Sequence, residues 1–595
     1  MTHPASLAGA CSRHGDLASS TRSQPWDSSQ PRRREPGRRS DLHPDSTPSA
    51  LAVSPDGQRV YLANERSGSI SVVEPEHDRV AAEAAVGQSL VDLAWLPNGR
   101  HLVAVDRGAG QVRLVDTKPE APTVVGSLPV AADPVGITAL TGENDRVAIA
   151  SMRSQTITIL EASRSDPPRL RSVATVALPF PPRRVAWLKG PARLVAADAY
   201  GGMLALIDPE RGIVMTRTIP GHNLRGLAAS PDGRWLVVAH QVLERTAATT
   251  FDNVHFGALM RNNLLVVPVA DLVGPLSDVD LVARSRVADL EGFGNGGGDP
   301  AGVAFDPEGG IVVALAGVGE VGLSNAPTGQ LRRVRAGIRP TAVVVRPDGR
   351  EAYAADTAGD ALWVIAIPGG LQRRSISLGP RPEPDAAERG ERLFFDARLS
   401  HDHWLSCQSC HTDGHSSGRL ADTLGDGTFG TPKRILSLLG AGTTGPWGWN
   451  GSVARLEDQV RKSVTSTMQG EPLSDSQVAD LTAFLRALPA AEPADRTPSA
   501  MVERGRHLFA ARRCDRCHAP PDFTTSRTFD VGLPDEKGQR LFNPPSLRGV
   551  GSRSPLLHDG RAASLDALFR DVRHPRGEAL TDAERSDLIA FLRSL

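Results

Sequence analysis

Between about residue 47 and residue 378 the chain alternates short apolar runs with clusters of turn residues, in the order strand, tight turn, strand. Ala52-Val-Ser-Pro-Asp-Gly-Gln-Arg-Val-Tyr-Leu-Ala-Asn64 is the clearest instance, and it recurs at 94–105, 229–239 and 345–355. Weaker copies centre on Asn144-Asp145, Gly190-Pro191 and Glu308-Gly309. Asp-Gly and Asn-Gly favour the positive-φ turns that join antiparallel strands. A period of about forty residues with several short strands per unit is the signature of a β-propeller. Seven turns predict seven blades. The long gap between Gly233 and Gly309 leaves an insertion near 241–300, which includes 246–253 and the glycine-rich Gly292-Phe-Gly-Asn-Gly-Gly-Gly298. Docking against the later part of the chain and binding a partner are open to it; a mobile surface excursion is the default expectation.

After Pro380-Arg-Pro-Glu-Pro384, a stiff extended stretch, the apolar period becomes helical. Residues 473–488 and 580–595 read as the same amphipathic helix, displaced by 595 − 488 = 107 positions. Cys407-Gln-Ser-Cys-His411 and Cys514-Asp-Arg-Cys-His518 share that displacement, 514 − 407 = 107. Arg389-Gly-Glu-Arg-Leu-Phe-Phe395 is echoed by Arg504-Gly-Arg-His-Leu-Phe509, and Trp449-Asn-Gly451 by His558-Asp-Gly560. The expected architecture is therefore multidomain: an all-β seven-bladed propeller followed by two tandem all-α c-type cytochrome domains. Its boundaries are a disordered segment over 1–46, the propeller over 47–378, a linker over 379–386, and haem domains over 387–490 and 491–595.

C-x-x-C-H reads as covalent attachment of a c-type haem, two thioethers from the cysteines and proximal iron ligation by the histidine. A zinc site needs four N or S ligands in one cluster, and no zinc-like His-x-x-x-His partner is evident. The two copies take four of the five cysteines, leaving Cys11 over. Candidate haem-attaching residues are thus Cys407, Cys410, Cys514 and Cys517, with His411 and His518 as proximal iron ligands. Eight of the 16 histidines lie from His401 onward.

Composition adds little except exclusions. Net charge is −1, so no global field draws the chain to nucleic acid or membrane. The 62 arginines against five lysines suggest genome composition rather than a binding surface. No apolar run is long enough for a transmembrane helix. Residues 1–46, with the basic run Pro31–Arg39, cannot bury a core and read as disordered. Covalent haem attachment implies a periplasmic or otherwise extracytoplasmic location, yet no apolar signal core is evident. Leu7-Ala-Gly-Ala-Cys11 only faintly resembles a lipoprotein cleavage site, and a misassigned start is the expected explanation.

The propeller repeats resemble those of YVTN-type propellers, with Tyr61-Leu-Ala-Asn64 at the name-giving tetrapeptide. Residues 386–595 resemble the bacterial di-haem cytochrome c peroxidase family and its MauG-like members. That resemblance rests on the paired haem motifs with Gly390–Ser400, Pro544-Pro-Ser-Leu-Arg548 and Ser554-Pro-Leu-Leu-His-Asp-Gly-Arg561. It implies one peroxidatic haem and one electron-accepting haem, with Trp449 as a relay between them, although a packed core indole would look the same in sequence. The chain also departs from the family. A displaceable distal histidine is expected in a Gly-His-Gly loop, where this chain has Gly425-Asp426-Gly427. Met468 is the candidate distal ligand of the first haem, against core packing, and no glutamate aligns cleanly with the family's catalytic one, Glu471 being displaced. In the second half the family's ligand position is Val572, so His574 is the candidate, and His558 is assigned to the inter-haem region. Calcium is implied near the carbonyls of Arg553 and Pro555, with Pro432-Lys433 where the matching asparagine is expected. His401, His403 and His415 read as solvated or propionate-side residues.

Two functions follow. One is reduction of hydrogen peroxide, or MauG-like oxidation of a protein partner, with a small cytochrome c or cupredoxin as electron donor and the propeller presenting the partner or bracing the haem domains. The other is non-catalytic electron transfer, with the propeller as a binding module.

Overall fold

The computed structural model describes residues 46–595, except 143–144, 164, 166–167, 291, 293, 368–372, 496–497 and 576–578. The expectations for Cys11, Pro31–Arg39 and N-terminal disorder, and for Asn144, lie outside the described residues. Seven successive four-stranded antiparallel sheets occupy 48–85, 90–129, 134–177, 182–218, 222–289, 300–335 and 340–377, each made of strands consecutive in sequence. Their first strands lie side by side in a ring that closes between Pro340–Val345 and Pro48–Val53. This is a seven-bladed propeller.

The predicted turns build the blades. Asp56 Oδ1 accepts hydrogen bonds from Ser54 Oγ (2.5 Å) and Gln58 N (3.0 Å), and Gly57 takes φ = 73°. The pattern repeats at Asp232, which accepts from Ser230 Oγ (2.5 Å) and Arg234 N (3.0 Å), with Gly233 also at φ = 73°. Glycine adopts that backbone conformation without a Cβ penalty. Inner strands such as His101–Asp106 are buried along their whole length because neighbouring blades cover both faces, whereas the outer strand Arg79–Ala85 is largely half-exposed. The ring is fastened by Thr47 N to Asp360 (2.7 Å), Arg346 to Glu76 (2.6 Å) and Arg374 to Asp78 (2.5 Å).

The insertion is an extension of the fifth blade rather than an excursion. Strands Trp235–Leu243 and Met260–Pro268 overrun the sheet and carry helix α1 (Phe251–His255) between them; α2 (Val269–Val273) and α3 (Asp278–Arg284) precede the outer strand. Apolar residues at its tip explain the difference. Val254, Leu259 and Met260 share one core with Phe394, Trp404 and Met468 of the helical region.

The helical region contains α4 (Ala386–Phe394), α5 (Cys407–Cys410), α6 (Leu456–Lys462) and α7 (Asp475–Ala487), then α8 (Ala500–Ala511), α9 (Leu565–Arg570) and α10 (Asp582–Arg593). The same helix crossing occurs twice. Gly390 on α4 lies against the carbonyl of Asp480 on α7, and Gly505 on α8 against that of Asp587 on α10, with no room for a Cβ at either point. Beside each glycine an arginine clamps the same aspartate with two bonds: Arg389 to Asp480 (2.9 and 2.8 Å) and Arg504 to Asp587 (2.8 and 2.7 Å). Capping boxes start both closing helices, Ser474 with Gln477 and Thr581 with Glu584. Gly505→Ala is expected to destabilise the second crossing by about 1–3 kcal/mol through overpacking, measured as a lowered denaturation midpoint of the purified holoprotein.

Candidate functional site

The first C-x-x-C-H opens onto a cavity of about 300 Å³. A single helical turn, α5, brings the Cys407 and Cys410 thiols to one wall beside His411. Burial pushes both thiols up to about 12, so they are neutral, and pushes His411 down to about 4. His411 Nδ1 is 2.9 Å from the Leu436 carbonyl. A proton donated there fixes the tautomer and leaves Nε2 with its lone pair, the form that ligates a metal. The second motif repeats the device: His518 Nδ1 is 3.1 Å from the Phe523 carbonyl, and burial takes His518 down to about 4 and Cys514 up to about 11. All four cysteines are free of disulfides.

Met468 lines the same cavity as His411 and is 3 % exposed. It follows a π-helical turn, Ser463–Thr467, that continues α6; such turns re-aim the residues after them. Trp449 also lines the cavity. Its Nε1 donates to the Arg434 carbonyl (2.7 Å), its carbonyl accepts from Asn543 N (2.7 Å), and its ring meets the ring of His558 edge-on at 6.2 Å. His558, 2 % exposed, stacks on Phe542 at 4.1 Å. Trp449 and His558 therefore face each other where the two halves meet. His574 is half-buried, and its Nδ1 is enclosed with no hydrogen-bonding group among the described residues. Burial lowers its pKa. Val572 packs in the apolar core of the second half.

Asp426 reaches the cavity wall but is fully engaged. It accepts from Thr431 Oγ1 (2.8 Å) and Thr428 N (3.2 Å) and pairs with Lys433 (3.2 Å), which also pairs with Asp535 (3.1 Å) across the halves. Glu471 is exposed.

Two guanidiniums line the cavity with no carboxylate partner among the described residues. Arg434 Nε donates to the Leu557 carbonyl (3.2 Å), and burial brings the group down to about 10. Arg553 donates to the carbonyls of Ser546 (2.8 Å) and Arg548, and burial, with Arg434 nearby, brings it down to about 9. Buried charges require compensation, and a dianionic cofactor such as haem, with its two propionates, supplies it.

The propeller grips the back of the first motif. Ser409 O accepts from His222 Nε2 (2.8 Å) and Asn223 Nδ2 (3.2 Å), and Ser409 Oγ donates to Asp299 (2.6 Å), which also accepts from Ser406 Oγ. Thr412 donates to Asn223, and Asp413 is paired with Arg183 and with Arg225 (2.5 Å). Gln408 and Ser409, the residues between the cysteines, are 4 % and 0 % exposed. His415 is not solvated: it is buried with Nδ1 2.8 Å from Ser437 Oγ and its ring edge-on to Tyr200 at 5.2 Å. The propeller covers it, which its sequence neighbours did not reveal. Asp299, His222, Asn223, Arg183 and Arg225 were missed by sequence reasoning. The glycine run before Asp299 was the one local signal, since Gly296 and Gly298 approach His403 and Ala397 too closely for a Cβ.

Fold and site together define an oxidoreductase that joins a β-propeller to a helical haem region. Residues 384–493 match the family described as di-haem cytochrome c peroxidase. The methylamine utilization protein MauG of Methylorubrum extorquens is 28 % identical over 36 % of this chain and 78 % of that protein. The cytochrome c551 peroxidase of Pseudomonas aeruginosa is 24 % identical over 35 % of this chain and 78 % of that protein. A hydrazine synthase chain of Kuenenia stuttgartiensis, 21 % identical, covers 55 % of this chain and 97 % of its own at a TM-score of 0.47, a likeness too loose to bear on function. Over 384–493 the helical region is thus similar to the di-haem cytochrome c peroxidase family and to these MauG and peroxidase relatives.

The grip on the first motif should weaken in acid. Burial pushes His222 down to about 3, against roughly 6.5 in an unfolded chain. The unfolded chain thus binds a proton that the docked state refuses. The stabilisation is complete above about pH 6.5 and falls as pH drops toward 3. Protection factors of the 405–419 amides, each rate taken relative to the intrinsic exchange rate at the same pH, should fall between pH 7 and pH 5, and less steeply in His222→Gln, which keeps a donor without the titration.

Proposed function

We propose that the chain is a periplasmic di-haem c-type cytochrome that reduces hydrogen peroxide, H2O2 + 2e⁻ + 2H⁺ → 2H2O, or oxidises a protein partner at the same haem. The observation that carries this reading is the cavity in which Cys407, Cys410 and His411 share walls with Met468, Trp449 and two uncompensated guanidiniums. In this reading one haem c is held by Cys407, Cys410 and His411 in a domain over 387–490. The other is held by Cys514, Cys517 and His518 in a domain over 491–595. The haem iron supplies the redox chemistry when bound.

The chain's own residues do the rest. The Leu436 and Phe523 carbonyls hold the Nδ1 protons of His411 and His518, keeping the ligating nitrogens unprotonated. Arg434 and Arg553, both without a carboxylate partner among the described residues, would neutralise the propionates. Trp449, bonded to Arg434 on one side and Asn543 on the other, bridges the two halves as the electron relay. The propeller braces the first haem through Ser409 and Asp413, leaving its other surfaces for a protein substrate. A small cytochrome c or cupredoxin delivers electrons.

Electron transfer without catalysis is the second reading. It is favoured by the buried Met468 beside His411 and by the enclosed Nδ1 of His574, since a haem with two protein ligands carries electrons and does not bind peroxide.

Spectra of holoprotein made with a haem-maturation system decide between them. A high-spin haem that reacts with peroxide and is re-reduced by a small cytochrome supports the enzyme; two low-spin haems inert to peroxide support the carrier. Met468→Ala is expected to convert the first haem from low to high spin if the thioether ligates, and to leave the spectrum unchanged if that position is open. Trp449→Phe should slow inter-haem electron transfer about tenfold, near 1.4 kcal/mol of barrier, with the haem spectra intact.

A further inference from the structure

A second cluster of ligating side chains lies outside the haem cavity, where the extended fifth blade meets the segment between α4 and α5. His255, the last residue of α1, has Nδ1 3.2 Å from His401 Nε2 and 2.6 Å from Asp402 Oδ2. His401 Nε2 is 3.3 Å from the same carboxylate oxygen. All three residues are half-buried, and their donor atoms converge on one point. A tetrahedral zinc with ligands at about 2.0–2.1 Å sets its donor atoms about 3.3 Å apart. Two edges of this triangle already have that length, and a small rotation of the Asp402 carboxylate opens the third.

The backbone is committed to the arrangement. Asp402 and His403 take φ of 53° and 65°, two successive left-handed non-glycine residues. Such strain persists only where the surroundings hold it. The segment is also an addition. The α4 and α8 sequences are 504 − 389 = 115 positions apart but the cysteine motifs only 107, so the first half has eight more residues here than the second. Aromatic rings close one side: Phe251 packs on His401 at 4.4 Å and on His255 at 5.6 Å, and Phe256 meets His255 edge-on at 4.7 Å.

We propose that His255, His401 and Asp402 bind a first-row divalent transition cation of the zinc type, clamping the propeller to the first helical half. Two imidazoles and one carboxylate suit such an ion and not calcium or magnesium, which take oxygen ligands. The clamp reaches the haem side through one peptide, since His401 N donates to the Met468 carbonyl (3.0 Å). The site shares no ligand with the haem reading and stands independently of it.

The test is titration of chelator-treated holoprotein with zinc chloride in a calorimeter. One zinc per chain is expected, with affinity reduced more than about tenfold in the His255→Gln, Asp402→Asn double variant, and slower hydrogen exchange over 251–256 and 399–404 when zinc is bound. No saturable site, or one the double variant retains, overturns the proposal and leaves a carboxylate accepting hydrogen bonds from two imidazoles. If the double variant does not fold, anomalous zinc density in crystals of the unaltered protein decides: a peak among the three side chains supports the clamp, and a peak elsewhere or none overturns it.

Discussion

The burial of the first C-x-x-C-H loop against the propeller is the contact on which the rest of the molecule depends. Asp413 enters a mouth lined with arginines, and burial depresses the guanidiniums of Arg183 and Arg225 that receive it. The three side chains are half-buried and two guanidiniums share the one carboxylate, so the charges fix the position of the loop as well as adding to its affinity. Asp299 does the same for the loop's start by accepting from both Ser406 and Ser409. With the loop fixed, the walls of the cavity and the seat of Trp449 follow.

The two helical halves repeat a crossing but not an environment. Gly390 and Gly505 make equivalent contacts, as do Arg389 and Arg504. Only the first half is embedded: its core runs without a break into the fifth blade through Val254, Leu259 and Met260. The Cys407 thiol is pushed up to about 12, against about 11 for Cys514.

Local chemistry was legible in the sequence, and long-range chemistry was not. The Asp-Gly turns at Gly57 and Gly233 are determined by backbone sterics within four residues, and the closing helices by apolar spacing and caps within one element. The attachment motifs are likewise contiguous. His222, Asn223 and Asp299 lie more than a hundred positions from the loop they hold, and only the glycine run before Asp299 gives a local sign of it. The solvated alternative for His415 fails for the same reason, since a distant blade residue, Tyr200, packs against its ring. Arg434 and Arg553 have no spacing of their own, and what sets them apart is the lack of a carboxylate partner among the described residues.

The sealing of Gln408 and Ser409 bears on how the molecule is made. On the proposed reading the two cysteines of the first motif take a porphyrin, and here the residues between them are closed off by the blades. The propeller is the earlier part of the chain and can close its ring from its own strands. On the proposed reading, loading before docking would leave the propeller as a latch over the back of the first motif.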